Sequence, residues 1–372
     1  MSIKFAVQSK DLHEVVSAAS KSTARKSTVP ALEGIHIEVK GDTLTATGYD
    51  LSKGISSTTL ISSNADNTSS FVIDRDVLPN ILAKLPECVV EVEVKDNILS
   101  IKADKLKLNS AVISGEEFPT VPSLTDKKAQ LTVNYEDLKF SLQRVLFAVS
   151  PNSIKPILTG VRFVENDGEL ILSAISNYSC ATCTMKVENN SNEEKLDFVV
   201  QATILQDLIK VLAKGGKNVD IKLDDNMVCF SSDKVNVFGR LLEGDFPDVS
   251  KMIRGESKIE LLIPVADFSD SLNRGLLLHS STGTPIKLGL SQTELLIETI
   301  SPTGKLSESL PVESINFDGK EFDIGFNPRY LFDAVANSRV AEISLGFDGA
   351  LKSVVISADG YKSMIMPVRL KG

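Results

Sequence analysis

The chain repeats itself three times, and a repeat limits the possible folds more than any local pattern does. The clearest copy is a strand-like run leading into an amphipathic helix. Phe71-Val72-Ile73 precedes Leu78, Ile81, Leu82 and Leu85. Phe198-Val199-Val200 precedes Leu205, Leu208, Ile209 and Leu212, and Phe322-Asp323-Ile324 precedes Tyr330, Leu331, Ala334 and Val335. The three starts lie about 125 residues apart. A second set of helices carries Leu12, Val15, Val16 and Ala19, then Leu138, Leu142, Val145, Leu146 and Val149, then Phe268, Leu272 and Leu276. Spacings of three and four give each helix one apolar stripe.

Alternating strands follow each helix. Val90, Val92 and Val94 alternate with charged residues up to the turn Asp96-Asn97. Val219, Ile221 and Leu223 lead to Asp225-Asn226, and Ile343 and Leu345 lead to Asp348-Gly349. Such pairs between alternating runs signal hairpins. A third marker closes two copies: Gly115-Glu116-Glu117-Phe118-Pro119 and Gly244-Asp245-Phe246-Pro247-Asp248. Three domains are therefore expected, at 1–125, 126–252 and 253–372, each an α+β unit of two helices on antiparallel sheets. The length of 372 residues fits two or three domains of ordinary size.

Composition narrows the function. Hydrophobic residues at 42% and charged residues at 24% describe a folded, soluble chain. A net charge of −9 argues against a simple basic nucleic-acid binder. There is no apolar run long enough for a membrane span, and Met1-Ser2-Ile3-Lys4-Phe5 leads into a strand rather than a secretory signal. Four cysteines cannot staple a fold of this size, so a reducing cytoplasmic compartment is expected.

An enzyme is the main competing class. The histidines His13, His36 and His279 sit in three different contexts. Lys214-Gly215-Gly216-Lys217 lacks the spacing and hydroxyl of a phosphate loop and suits a turn that ends a helix. Cys180-Ala181-Thr182-Cys183 is a single CxxC on a strand pattern with no second ligand pair, so core packing is the better reading. Glu116-Glu117 and Asp224-Asp225 fall at turns and suit solvated loops. Neither a metal nor a cofactor is expected.

With these markers in place, the sequence resembles the bacterial DNA polymerase III beta subunits, the sliding-clamp family, along its whole length. The most specific pieces are the Gly-x-Phe-Pro-Asp run at 244–248, Gly325-Phe326-Asn327-Pro328-Arg329-Tyr330-Leu331, and Met366-Pro367-Val368-Arg369-Leu370. The resemblance implies a head-to-tail homodimeric ring around duplex DNA, with helices lining the hole and sheets outside. It implies a non-catalytic tether for the DNA polymerase III alpha subunit, the clamp-loader complex and other proteins with clamp-binding motifs. A repeated α+β scaffold that never encircles DNA is the second reading.

The charge distribution suits the ring. Summed over the helix windows 10–26, 74–84, 135–155, 202–217, 266–274 and 327–339, the charge is positive although the chain is acidic. A weakly positive surface gives sequence-independent, salt-sensitive contacts that permit sliding. Lys26 is the leading DNA-facing candidate because it matches a basic family position. Arg25, Arg75, Lys139 and Arg144 follow. Solvated helix faces are the alternative for each.

The resemblance also implies an apolar peptide cleft between the second and third domains. Leu158, Pro247, Asn327, Tyr330, Met364, Met366, Pro367, Val368, Arg369 and Leu370 occupy its positions. Methionines suit a wall that must accept varied peptides. Alternate apolar residues facing a core are the simpler reading for Met364, Met366 and Leu370. One segment departs from the family, which usually has Thr-Asp-Gly-His-Arg-Leu there. This chain has Ile175-Ser176-Asn177-Tyr178-Ser179-Cys180, so the His-Arg pair is missing and Tyr178 offers an aromatic face. Ile175, Asn177, Tyr178 and Cys180 join the cleft set, and Asn177 suits a turn with positive φ. At the ring interface, Leu277 and Leu278 match the family's apolar pair and Leu108 matches the opposing edge. The segment 301–308 is less acidic than in the family, facing Lys102, Lys105 and Lys107.

Overall fold

The computed structural model describes residues 2–63, 68–122, 124, 129–187, 189–190, 196–212, 217–253, 257–279, 284–302, 304–317, 319 and 321–370. The turn expected at Lys214-Gly215-Gly216 lies outside them. The chain divides into two compact units. The first comprises Met1–Tyr135, Asn189–Glu193 and Thr203–Leu241; the second comprises Glu136–Glu188, Glu194–Ala202 and Leu242–Gly372. Seven α-helices are described: α1 (Ser9–Ser20), α2 (Val77–Leu82), α3 (Tyr135–Val145), α4 (Ala202–Val211), α5 (Val249–Met252), α6 (Val265–Leu277) and α7 (Pro328–Ala336).

In the first unit, a five-stranded sheet carries Ser2–Gln8 near one edge and Leu106–Ala111 at the other. A ten-stranded sheet places Lys53–Leu60 beside Val235–Arg240, with Ile55 opposite Val237. The alternation read at Val90, Val92 and Val94 holds, with all three side chains buried and their charged neighbours exposed. Asp96 and Asn97 both take positive φ, the geometry that a tight two-residue hairpin requires. The stripe Leu12, Val15, Val16 and Ala19 seals α1 onto one continuous core with Phe5, Ile37, Leu44, Phe71 and Val92. Near the end of α1 the packing is closest at Gly48. A Cβ there would stand 1.9 Å from the Ala19 carbonyl oxygen.

In the second unit, a nine-stranded sheet runs from Asp197–Gln201 through Ser179–Lys186 and Tyr361–Ile365 to Glu313–Asn316. A four-stranded sheet ends on Gly304–Pro311. The second repeat is thus shared. Its strands 129–134 and 218–240 join the first unit, and 160–186 and 197–201 join the second. Each of the two large sheets crosses from one repeat into the next through an antiparallel pair, which leaves no bare edge at those joints.

Several helices are shorter than their windows. The window 135–155 ends its α-helix at Val145 and passes through a 3₁₀ turn, Leu146–Ala148, before Pro151 and Pro156. Among the described residues, no helix is long and apolar enough to cross a membrane.

Candidate functional site

An apolar cluster in the second unit gathers residues from four separate stretches. Ile175, Cys180, Val249, Ile253 and Met364 are buried together, with Leu158, Phe246 and Val355 packed against them. Leu158 is set by the 3₁₀ turn Pro156–Thr159, where its N–H donates to the Lys155 carbonyl and its own carbonyl accepts from Ser150 N–H. Ile175 and Cys180 face each other across a hairpin, and Cys180 in turn faces Met364 on the neighbouring strand. Val249 and Ile253 come from α5 and its end. Asp248 caps that helix by accepting from Lys251 N–H at 3.2 Å. The Lys251 ammonium beside it, 3.0 Å away, holds the Asp248 carboxyl below its usual range.

The C-terminal segment closes the site. The strand ends at Ile365, so Met366 and Leu370 lie beyond it and do not alternate on one strand with Met364. Pro367 cannot donate a ladder hydrogen bond, and only one bridge, Gly325 to Val368, follows it. Met366 N–H donates to the Tyr178 carbonyl at 2.9 Å and Val368 N–H to the Gly325 carbonyl at 2.8 Å. Gly325 permits this crossing, since a Cβ there would stand 2.7 Å from Leu370 Cδ2 and 2.9 Å from the Val368 carbonyl oxygen. The next residues start α7. Asn327 caps it, with Oδ1 accepting from Arg329 N–H at 2.9 Å, and Tyr330 follows within the first turn.

The rim is unusually apolar for an exposed surface. Tyr178, Met252, Met366 and Leu370 are all at least 36% exposed. Clustered exposed apolar groups mark interaction sites more often than scattered ones do. The Tyr178 and Tyr330 rings stack at 5.3 Å. Nearby charges are already paired: Arg162 grips Asp197 with two nitrogens, and Arg329 meets Asp333 at 3.0 Å. Arg369 and Pro247 are partly or fully open to solvent. The cluster and the exposed apolar residues beside it include no activated nucleophile. The Cys180 thiol is pushed up to about 12 by burial, which keeps it protonated and unreactive.

Several expectations change. Arg144 does not face solvent and cannot meet DNA. It is 4% exposed, and donates from Nε to the Ser338 carbonyl and from Nη1 to the Asp359 carbonyl, both at 2.9 Å. Its guanidinium lies 4.2 Å from the Phe140 ring centroid. A charge count over a helix window cannot distinguish an inward face from an outward one. Asn177 does not adopt positive φ. The turn is instead held by Ser176, whose N–H donates to the Ser179 carbonyl at 2.8 Å and whose Oγ accepts from Ser179 N–H. Cys180 and Cys183, three apart on one strand, point to opposite faces.

Among the other basic residues, Arg25 and Lys26 are exposed. Arg75 donates to the Ala24 carbonyl at 3.3 Å, and Lys139 pairs with Glu136 at 3.1 Å. Leu277 is 83% exposed at the end of α6, and Leu278 is half-buried at its C-cap. Leu108 packs partly against the first unit's core. Phe246, Val249, Ile253 and Val355 join the cluster in addition to the residues expected from the sequence, and Val249 and Ile253, four apart, directly follow the Phe-Pro-Asp marker.

Comparison with known proteins decides the family. The N-terminal, central and C-terminal domain models of the DNA polymerase III beta subunit match residues 3–122, 132–248 and 251–369 in turn. The chain belongs to the sliding-clamp family. The beta sliding clamp of Bacillus subtilis is 29% identical, over 99% of this chain and 100% of its own length. The crystal structure of the Bacillus subtilis sliding clamp is 27% identical and superposes with a TM-score of 0.91, covering 100% of both chains. The beta subunit of Thermotoga maritima, at 23% identity, shares the fold with a TM-score of 0.90 over 99% of this chain and 100% of its own. The apolar cluster takes Phe246 from the segment 244–248, while Tyr330 of 325–331 and Met366 of 366–370 adjoin it through Tyr178, by ring stacking and by a backbone hydrogen bond.

Proposed function

We propose that the protein is a non-catalytic sliding clamp, closing as a homodimer around duplex DNA and conferring processivity in replication. It tethers the DNA polymerase III alpha subunit and other proteins that carry clamp-binding motifs, and it is placed on DNA by a clamp loader. It acts in the cytoplasm and requires no cofactor. The apolar cluster with its exposed Tyr178, Met366 and Leu370 supports this reading, because such a surface acts by holding an apolar partner.

The cleft takes a short apolar peptide. Leu158, Ile175, Cys180 and Met364 form its floor, and Tyr178, Pro247, Tyr330, Met366, Pro367, Val368 and Leu370 its rim. Asn327 and Asn177 shape the backbone around it, and Arg369 is placed to meet a peptide carboxylate. Met364→Ala with Met366→Ala is expected to weaken a fluorescent partner peptide by about tenfold or more, since two anchoring side chains are truncated. Fluorescence anisotropy measures this, with the dimer mass as the control.

Arg25 and Lys26, and more weakly Arg75 and Lys139, supply phosphate contacts of the sequence-independent kind. The dimer joins two sheet edges, Leu106–Ala111 of one protomer and Gly304–Pro311 of its partner, with Leu108, Leu277 and Leu278 as the apolar contacts. Exposed ion pairs add only about 0 to 1 kcal/mol each, so a less acidic 301–308 segment leaves this interface intact.

The test is topological. Protein loaded on closed circular DNA should remain bound through gel filtration and be released when the circle is cut. Leu277→Asp with Leu278→Asp should give monomers by light scattering and abolish that retention. Retention that ignores the cut would favour a non-encircling scaffold.

A further inference from the structure

The joint between the first and second repeats holds a pocket that the proposed clamp function does not use. It lies wholly within the first unit. Its apolar base is the cluster Leu32, Tyr49 and Phe238, with Met227 and Cys229 packed against it. Leu32, Tyr49, Cys229 and Phe238 stand 126 residues before Leu158, Ile175, Val355 and Met364, so this joint repeats the position of the apolar cluster in the second unit. Two differences reshape it. Gly54 stands where the later copy has Cys180, and Lys222 where it has Asp348.

Gly54 governs the space. A Cβ on it would lie 2.2 Å from Phe238 Cζ, so the ring rests directly on the bare glycine, 6.0 Å from the Tyr49 ring. The strand pairing sets what surrounds it. Gly54, Phe238, Cys229 and Lys222 pair in one rung across four strands, and Ser56, Asn236 and Ser231 form a rung two residues along on the same face. Short side chains at Cys229, Ser231 and Ser56 leave a pocket of about 290 Å³, whose apolar sides are Phe238, Met227, Leu124 and Pro122. That is the small end of the range for ligand sites, about 300 Å³ and upward.

The polar side has one sign. Lys222 is the one charged residue lining the pocket; it is half-buried, and among the described residues no carboxylate pairs with it. Asp220, which pairs with Ser231 in the next rung, instead accepts from the Thr132 hydroxyl at 2.7 Å. Burial raises the Cys229 thiol, so it stays protonated and leaves the lysine charge uncompensated. Ser231 and Asn236 add hydrogen-bond donors to the same wall.

We propose that this pocket binds a small aromatic carboxylate, with Lys222 meeting the carboxylate and Phe238, Met227 and Leu124 enclosing the ring. The geometry of the first unit carries this independently of the clamp reading.

Equilibrium dialysis of the full-length protein against naphthoate, a carboxylate on two fused rings, tests it. A dissociation constant of about 1 mM or below is expected for a ligand of that size. Lys222→Met should weaken binding about tenfold. The neutral naphthamide should bind the parent about tenfold more weakly than naphthoate and be indifferent to Lys222→Met. Cys229→Phe should abolish binding by filling the pocket, while Met364→Ala with Met366→Ala should leave it unchanged. The proposal is overturned by no uptake at about ten times the expected constant, by naphthamide binding as tightly as naphthoate, or by binding that ignores Lys222→Met or Cys229→Phe. Loss of binding in the double methionine variant would also overturn it, by assigning the ligand to the other joint. If Cys229→Phe lowers the urea midpoint, Ser231→Phe takes its place, and the Lys222 and naphthamide comparisons decide without either.

Discussion

Arg144→Met is expected to destabilise the protein by about 3 kcal/mol, because it strips two charge-assisted hydrogen bonds, one to the buried Ser338 carbonyl and one to the part-buried Asp359 carbonyl, while keeping much of the volume. The Arg144 side chain leaves α3 and reaches the Ser338 carbonyl just beyond α7 and the Asp359 carbonyl in the turn before Tyr361. Three elements distant in sequence thus depend on one guanidinium. Methionine fills much of the space over Phe140 and Tyr361 but offers no donor. Lysine has a charge but not the planar fork, so Arg144→Lys should recover only part of the stability. The urea midpoint of the second unit measures both. DNA binding distinguishes this role from a surface one. Removing a residue that touches one phosphate would reduce the slope of log affinity against log salt by about 0.9. Arg144→Met, measured where it is folded, should leave that slope unchanged.

Gly48→Ala is the second large effect, expected at about 3 kcal/mol or more, beyond the usual cost of overpacking because the obstacle is backbone. The added methyl would stand 1.9 Å from the Ala19 carbonyl oxygen and 2.9 Å from its carbon. That carbonyl also accepts from Ser22 N–H at 3.0 Å, so it cannot turn aside without breaking the end of α1. Either α1 lifts from the sheet or the strand Thr43–Tyr49 bends. Gly41→Ala is the matched control. Gly41 has positive φ, but its surroundings are open, so only backbone strain of about 1 kcal/mol is expected. Thermal melting of the two variants, run side by side, should separate them clearly.

Much of this architecture is legible in the residues because the repeat displays it three times. Valines alternating up to Asp96-Asn97 leave little choice but a hairpin, and the stripe on α1 leaves little choice of buried face. Helix lengths are less legible. The apolar period at 135–155 continues past Val145 in residues that a 3₁₀ turn also satisfies, and only the hydrogen bonds distinguish the two. The candidate site is legible through short motifs, but not in full. Val249, Ile253 and Val355 look like any core residue until the fold brings them beside Met364. Arg144 shows the limit most plainly. Its charge suggests solvent, and its burial depends on carbonyls nearly two hundred residues away or more, which no local pattern contains.

The hydrogen-bonded joints between repeats have a consequence for anyone who would divide this chain. The obvious scissors, placed at 125 or 252, cut between copies of the motif but not between cooperative blocks. A fragment ending at 125 would carry Lys53–Leu60 without the strand Val235–Arg240, and its row of amide and carbonyl groups would seek another copy of itself. A fragment starting at 253 would leave Tyr361–Ile365 in the same condition. The ladder splices the copies, so the repeat read in the sequence is not the compact unit seen in the fold.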